Sequence, residues 1–166
     1  YISLGKYDSA KRLIDKKTLQ GQLYMAHIAM LNQKLGKAEQ IIKRLLRIQK
    51  KMDVNNPVLV GLLGSIYWWK GESKKALPLI KESVSELEKL YGIDHPSLIQ
   101  PVINLAMAYY RLQNYDETER LLRRSLSMQF KRIQEEAIYL PVSQRLDFLS
   151  TFGISYAAIF SATNLH

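Results

Sequence analysis

Three stretches of this chain lie over one another residue for residue. Leu63, Gly64, Tyr67, Gly71 and Ala76 return 42 positions later as Leu105, Ala106, Tyr109, Gln113 and Thr118. An earlier copy, Met25, Ala26, Ala29, Gln33 and Ala38, stands 38 positions before the middle one. Small and large side chains recur at the same offsets each time. A period of this length marks a helical solenoid, in which no unit buries its apolar face alone and neighbours complete the core. Such a chain is generally a surface for partners, not a site for chemistry.

The apolar spacing is helical almost throughout, without strand-like alternation. It predicts helices over 7–17, 18–32, 35–52, 57–70, 73–91, 97–112, 115–139 and 143–163. Turn residues 53–56 and the run Gly92-Ile93-Asp94-His95-Pro96 break the pattern. Pro57 suits a first helical turn, and Gly71 supplies a residue free to adopt the left-handed conformation at a helix end. Ser73 and Ser143 read as caps, Pro78 is placed near enough to a helix start to be tolerated, Pro101 is expected to delay or bend its helix, and Pro141 ends the long one. Tyr1, Gly5, Tyr7 and Ala10 fall at the repeat's own offsets, so the first helix of that unit is expected to precede Tyr1 in a longer protein.

Within each unit the two helices are expected to cross tightly. Gly64, Ala106 and Ala26 are small because the partner helix passes over them, and Ala76, Thr118 and Ala38 are their counterparts. Tyr67 and Tyr109 are the knobs that fill the space between units. The residues Val60, Leu63, Gly64, Tyr67, Gly71, Ala76, Ile80 and Val84, and again Val102, Leu105, Ala106, Tyr109, Thr118, Leu122 and Leu126, resemble the tetratricopeptide repeat (TPR). The pattern departs from that family at Gln113 and Asn114, where a glycine turn is usual, and at Ala29, which replaces the aromatic. The 42-residue spacing and the segment Tyr91-Gly92-Ile93-Asp94-His95-Pro96 are similar to the longer repeats of kinesin light chain type, also common in bacteria. The stretch 138–166, with Tyr139-Leu140-Pro141 and Arg145-Leu146-Asp147-Phe148-Leu149, resembles the segment that joins such repeats to a CHAT domain, a caspase-like protease module.

The resemblance implies an all-α, right-handed superhelix of antiparallel helix pairs. Its parts are the second helix of a truncated repeat (1–17), three repeats (18–55, 56–96 and 97–139) and a C-terminal capping or linker helix (140–166). On that helix Phe148, Phe152, Ile154 and Phe160 spread apolar surface widely enough to meet a further domain or a second copy of the chain.

Chemistry of the residues argues against an enzyme. There is no cysteine, hence no thiolate nucleophile or disulfide, which fits a reducing, cytoplasmic setting. The three histidines, His27, His95 and His166, are far apart and lack partners at metal-ligand spacing. No HExxH, phosphate loop or calcium loop is present, and Glu135 and Glu136 are adjacent, so they do not share a helix face. No cofactor is expected. The longest mainly apolar run, 57–69, is too short to span a bilayer.

In TPR arrays the first helices line a concave side where peptides lie. Projecting that arrangement places Leu23, His27 and Met30, then Gly61, Ser65 and Trp68, then Gln100, Asn104, Met107 and Arg111 on the inner wall. Trp68 would be an aromatic anchor and Asn104 a group able both to donate to and accept from a peptide backbone. The expected function is a protein–protein interaction scaffold. Two alternatives are the regulatory region of a CHAT protease and a basic scaffold for nucleic acid. The net charge of +9, with 24 basic and 15 acidic residues, favours acidic partners. Lys43, Arg44, Arg47, Lys50 and Lys51 form one basic run, and Arg120, Arg123 and Arg124 another. Few aromatics interleave with them, so base stacking has little support and a solvated face is the plainer reading.

Overall fold

The computed structural model describes residues 18–139 and Pro141. The expected helices over 7–17 and 143–163, and nearly all of the CHAT-like stretch, lie outside the described residues. Six α-helices run through the described part: α1 (Leu19–Leu31), α2 (Leu35–Lys51), α3 (Pro57–Trp69), α4 (Ser73–Tyr91), α5 (Ile99–Arg111) and α6 (Tyr115–Ile138). A single 3-10 turn, Pro96–Leu98, precedes α5. No strand occurs among the described residues. Each helix packs on the next in sequence, and α3 also touches α5. The result is an all-α helical repeat fold of the TPR type.

The same local chemistry closes all three hairpins. Gln33, Gly71 and Gln113 have positive φ, at 56°, 81° and 60°. The next residue in each turn donates its N–H five positions back: Lys34 to the Ala29 carbonyl at 2.8 Å, Glu72 to Tyr67 at 2.9 Å and Asn114 to Tyr109 at 3.1 Å. The residue before it bonds Met30, Trp68 or Tyr110 at 2.9–3.0 Å. This double bond pattern satisfies carbonyls that a helix end otherwise leaves orphaned. A left-handed conformation suits glycine and strains a side chain. Gln33→Gly and Gln113→Gly are therefore each expected to raise stability by about 0.5–1 kcal/mol in urea denaturation, and Gly71→Ala to lower it by about 1 kcal/mol.

Helix starts divide into two kinds. Thr18 Oγ1 accepts from Gly21 N–H at 3.0 Å, and Asn56 Oδ1 accepts from Val58 N–H at 3.0 Å, with Pro57 in the first turn. Asn114 Oδ1 accepts from Glu117 N–H at 3.2 Å at the start of α6. Ser73 does not cap α4, contrary to expectation. Glu72 occupies the cap position without a side-chain bond, and Ser73 is the first helical residue. The cause is the tight turn: Glu72 is still engaged with the previous helix, so the next one starts immediately. Pro78 is the sixth residue of α4, beyond the first turn, so its missing N–H falls within the helix.

Buried residues form two clusters that Tyr67 joins, packing against both. One spans α1, α2 and α3, from Ala26 and Ala38 to Leu59, Leu63 and Ile66. The other spans α4, α5 and α6, including Ala76, Ile80, Leu98, Val102 and Leu121. The small residues lie where the repeat requires them. A Cβ on Gly64 would stand 2.6 Å from Ile80 Cγ1 and 3.2 Å from the Ala76 carbonyl oxygen. Thr118 Oγ1 donates to the Asn114 carbonyl at 2.7 Å and lies 3.4 Å from that of Ala106. Ala26 and Ala38 are both fully buried in one cluster.

Candidate partner-binding groove

The helical period places Gly61, Ser65 and Trp68 on one face of α3, and Gln100, Asn104, Met107 and Arg111 on one face of α5. The two faces meet. Asn104 Nδ2 donates to Ser65 Oγ at 3.3 Å, and Trp68 Nε1 donates to the Met107 carbonyl at 3.1 Å. Arg111 lies over the Trp68 ring, 4.0 Å from its centroid, and donates to the Trp68 carbonyl. Seven of the ten expected residues therefore form one continuous row along the α3–α5 seam.

Polar groups in the upper part of the row are chained. Gln100 Nε2 donates to Asn104 Oδ1 at 2.9 Å, Asn104 to Ser65, and Ser65 Oγ to the Gly61 carbonyl at 3.0 Å. Each group donates onward, which orients the amides. Asn104 keeps a second N–H and Gln100 its carbonyl oxygen for another partner. Beside this chain lies a cavity of about 330 Å³. Gly61, Ser65, Gln100 and Asn104 form its polar side; Val58, Leu62, Leu87, Tyr91 and Pro101 form its apolar side. Its floor comes from α4, where Ser83 is buried. A Cβ on Gly61 would stand 2.5 Å from Ser83 Oγ, so the missing side chain lets α4 close the cavity from below.

The other three expected residues stand apart. Leu23 and Met30 pack against the first buried cluster, and His27 is exposed on α1. No hydrogen bond or ring contact among the described residues ties them to the row. Trp68 is half-buried between units with its N–H engaged, whereas its neighbour Trp69 is 60% exposed and meets it edge-on at 5.2 Å. Sequence reasoning did not find the contribution of α4 to the cavity. Its one signal was Ser83, a small polar residue seven positions after Ala76 on the buried stripe.

Charge gathers away from the groove. Glu39 of α2 receives Lys43 at 2.7 Å, Lys70 at 2.6 Å and the Tyr67 hydroxyl at 3.3 Å. The ammonium groups of Lys43 and then Lys70 hold its carboxyl well below the ordinary range, at about 2. Tyr67 also lies beneath Lys43 and Lys75, at 5.6 and 5.7 Å from its ring centroid. This clasp joins the first hairpin to the second. At the next junction Arg124 pairs with Glu88 and donates to the Ile93 carbonyl.

Among the described residues no helix is long and apolar enough to cross a membrane, and no three His, Asp or Glu side chains gather as a metal site would need. The curated proteins give no match to the chain. Residues 55–129, which hold α3 to α5 and much of α6, match the family profile described as Tetratricopeptide repeat.

Proposed function

We propose that the chain is a protein–protein interaction scaffold whose α3–α5 row binds an extended peptide of a partner protein. Tetratricopeptide repeats generally mediate protein–protein interaction, which sets the class. The observation that carries the reading is the 330 Å³ cavity lined both by a chain of polar groups and by apolar side chains. An apolar side chain of the peptide fits the Val58, Leu62 and Tyr91 side, while the spare capacity of Asn104 and Gln100 meets its backbone. Pockets of this size, mostly apolar with a few oriented polar groups, are where recognition concentrates. Arg111, stacked on Trp68, places a cation at the far end of the row.

The test is binding of partner peptides recovered with the parent protein. Asn104→Ala removes the backbone-reading amide and is expected to weaken binding about tenfold, with unchanged helicity by circular dichroism. Gly61→Val drives its side chain against Ser83 of α4, so it is expected to distort the cavity floor and to lower both affinity and melting temperature. Trp68→Ala breaks the bond to Met107 and unseats Arg111, so it is expected to lower both affinity and melting temperature. Wild-type affinity in Asn104→Ala and Gly61→Val together overturns the groove reading.

A further inference from the structure

The two basic runs differ in how their cations are partnered. On α6, Arg120 pairs with Glu117 at 2.7 Å, Arg123 with Glu119 at 2.7 Å, and Arg124 with Glu88. On α2 only Lys43 has a carboxylate, Glu39, and that group is shared with Lys70. Arg44, Arg47, Lys50 and Lys51 are exposed and make no ion pair among the described residues. The excess charge follows the same division. Residues 18–55 carry seven basic and two acidic side chains, whereas 56–139 carry eleven and ten.

The helical period sorts the α2 cations further. Ala38, Ile42, Leu45 and Gln49 are its buried residues. Lys37, Arg44, Arg47 and Lys51 fall on the opposite side in one stripe about 21 Å long. Ile48 lies one turn from both Arg44 and Lys51 and is 41% exposed. Met52 and Val54, at the end of the stripe, are 68% and 51% exposed.

We propose that this face of α2 is a second docking surface, and that its occupant is an acidic protein segment carrying apolar side chains at helical spacing. Carboxylates three, four and seven residues apart match the stripe of cations, and arginine receives them two-pronged. The apolar atoms beside the cations and at the end of their row select against the other polyanions. A phosphate backbone gives Ile48, Met52 and Val54 nothing to bury against, and α2 offers no aromatic ring for a base. A bilayer surface needs a continuous apolar face, and the centre of this one holds Arg44, Gln40 and Arg47. The proposal does not rest on the groove, which lies on other helices.

The experiment measures binding to the full chain by fluorescence anisotropy at low salt. The probes are a labelled helical peptide of about 15 residues with Glu and Leu at three- and four-residue spacing, and a DNA duplex of about 20 base pairs. Vesicles of phosphatidylcholine and phosphatidylserine, about three to one, are tested by co-sedimentation. The peptide is expected to bind at least about tenfold more tightly than the duplex or the vesicles, and to weaken as salt is raised. The triple variant R44E/R47E/K51E is expected to lose at least about tenfold in peptide affinity. The control R120E/R123E, with two reversals on the other basic run, is expected to stay within about twofold of wild type. The neutral R44Q/R47Q variant repeats the loss without reversing charge and serves if the triple variant misfolds. Equal loss in the control, wild-type affinity in R44E/R47E/K51E or R44Q/R47Q, or duplex or vesicle binding as tight as the peptide's, overturns the proposal.

Discussion

Gly64→Leu is expected to cost more than about 3 kcal/mol and to lower the melting temperature by about 10 °C. The first atom added is already too many. A Cβ at position 64 stands 2.6 Å from Ile80 Cγ1, 3.1 Å from the Ile80 nitrogen and 3.2 Å from the Ala76 oxygen. Two of those three atoms belong to the α4 backbone, which cannot rotate away as a side chain can. The helices must separate, and Ile80 and Ala76, both buried, lose contact with neighbours on either side. Since Tyr67 joins the two buried clusters, the loss is expected to spread to both hairpins as one cooperative transition. Gly36→Ala is the control. Nothing lies within 4 Å of a Cβ there, so only helix propensity acts, and stability should rise by about 0.5–1 kcal/mol. Thermal melts that fail to separate the two variants in opposite directions would refute the crossing.

Why Gly64 was legible in the sequence and Trp68 was not is a matter of distance. Gly64, Ala106 and Ala26 recur at fixed offsets because each answers to a helix 12 residues further on, within its own hairpin. The hairpin turns are equally local: Gly71 states its left-handed conformation outright, and Gln33 and Gln113 adopt the same one against their own preference, as their repeat positions require. Helix ends were therefore found nearly to the residue. Ser73 is a good capping residue taken alone, but the turn before it leaves no room for a separate cap. Trp68 depends on Met107, and Asn104 on Ser65, each 39 positions away across a seam between units. Periodicity tells which face those residues share, but not which of their polar groups the neighbouring unit consumes. The basic runs show the same limit. Arg124 and Arg44 look alike in sequence; only the arrival of Glu88 from another helix distinguishes them.

Acid is expected to loosen the junction between the first two hairpins before it disturbs their interiors. Glu39 is held at about 2 against an ordinary 4.5, chiefly by the bonds from Lys43 and Lys70. Its folded-state pKa is depressed, so its contribution is fully present above about pH 4.5 and is lost as the pH falls from there towards 2. Lys43 responds in the opposite sense, raised by the same carboxylate, and both shifts describe one interaction that is not counted twice. The Glu39 side chain is 15% exposed, but that of Lys43 is 45% exposed. Water screens the pair, so its worth is less than the depressed pKa alone would give. Glu39→Gln keeps the shape and removes the charge. Urea denaturation of the two proteins at a series of pH values isolates the effect, since every other carboxylate, Glu72 included, titrates in both. The variant is expected to be less stable at pH 7, with the gap closing as the pH falls below about 4. No gap at any pH would mean that Glu39 acts by shape alone, and that the two hairpins are held by Tyr67 and the apolar contacts around it.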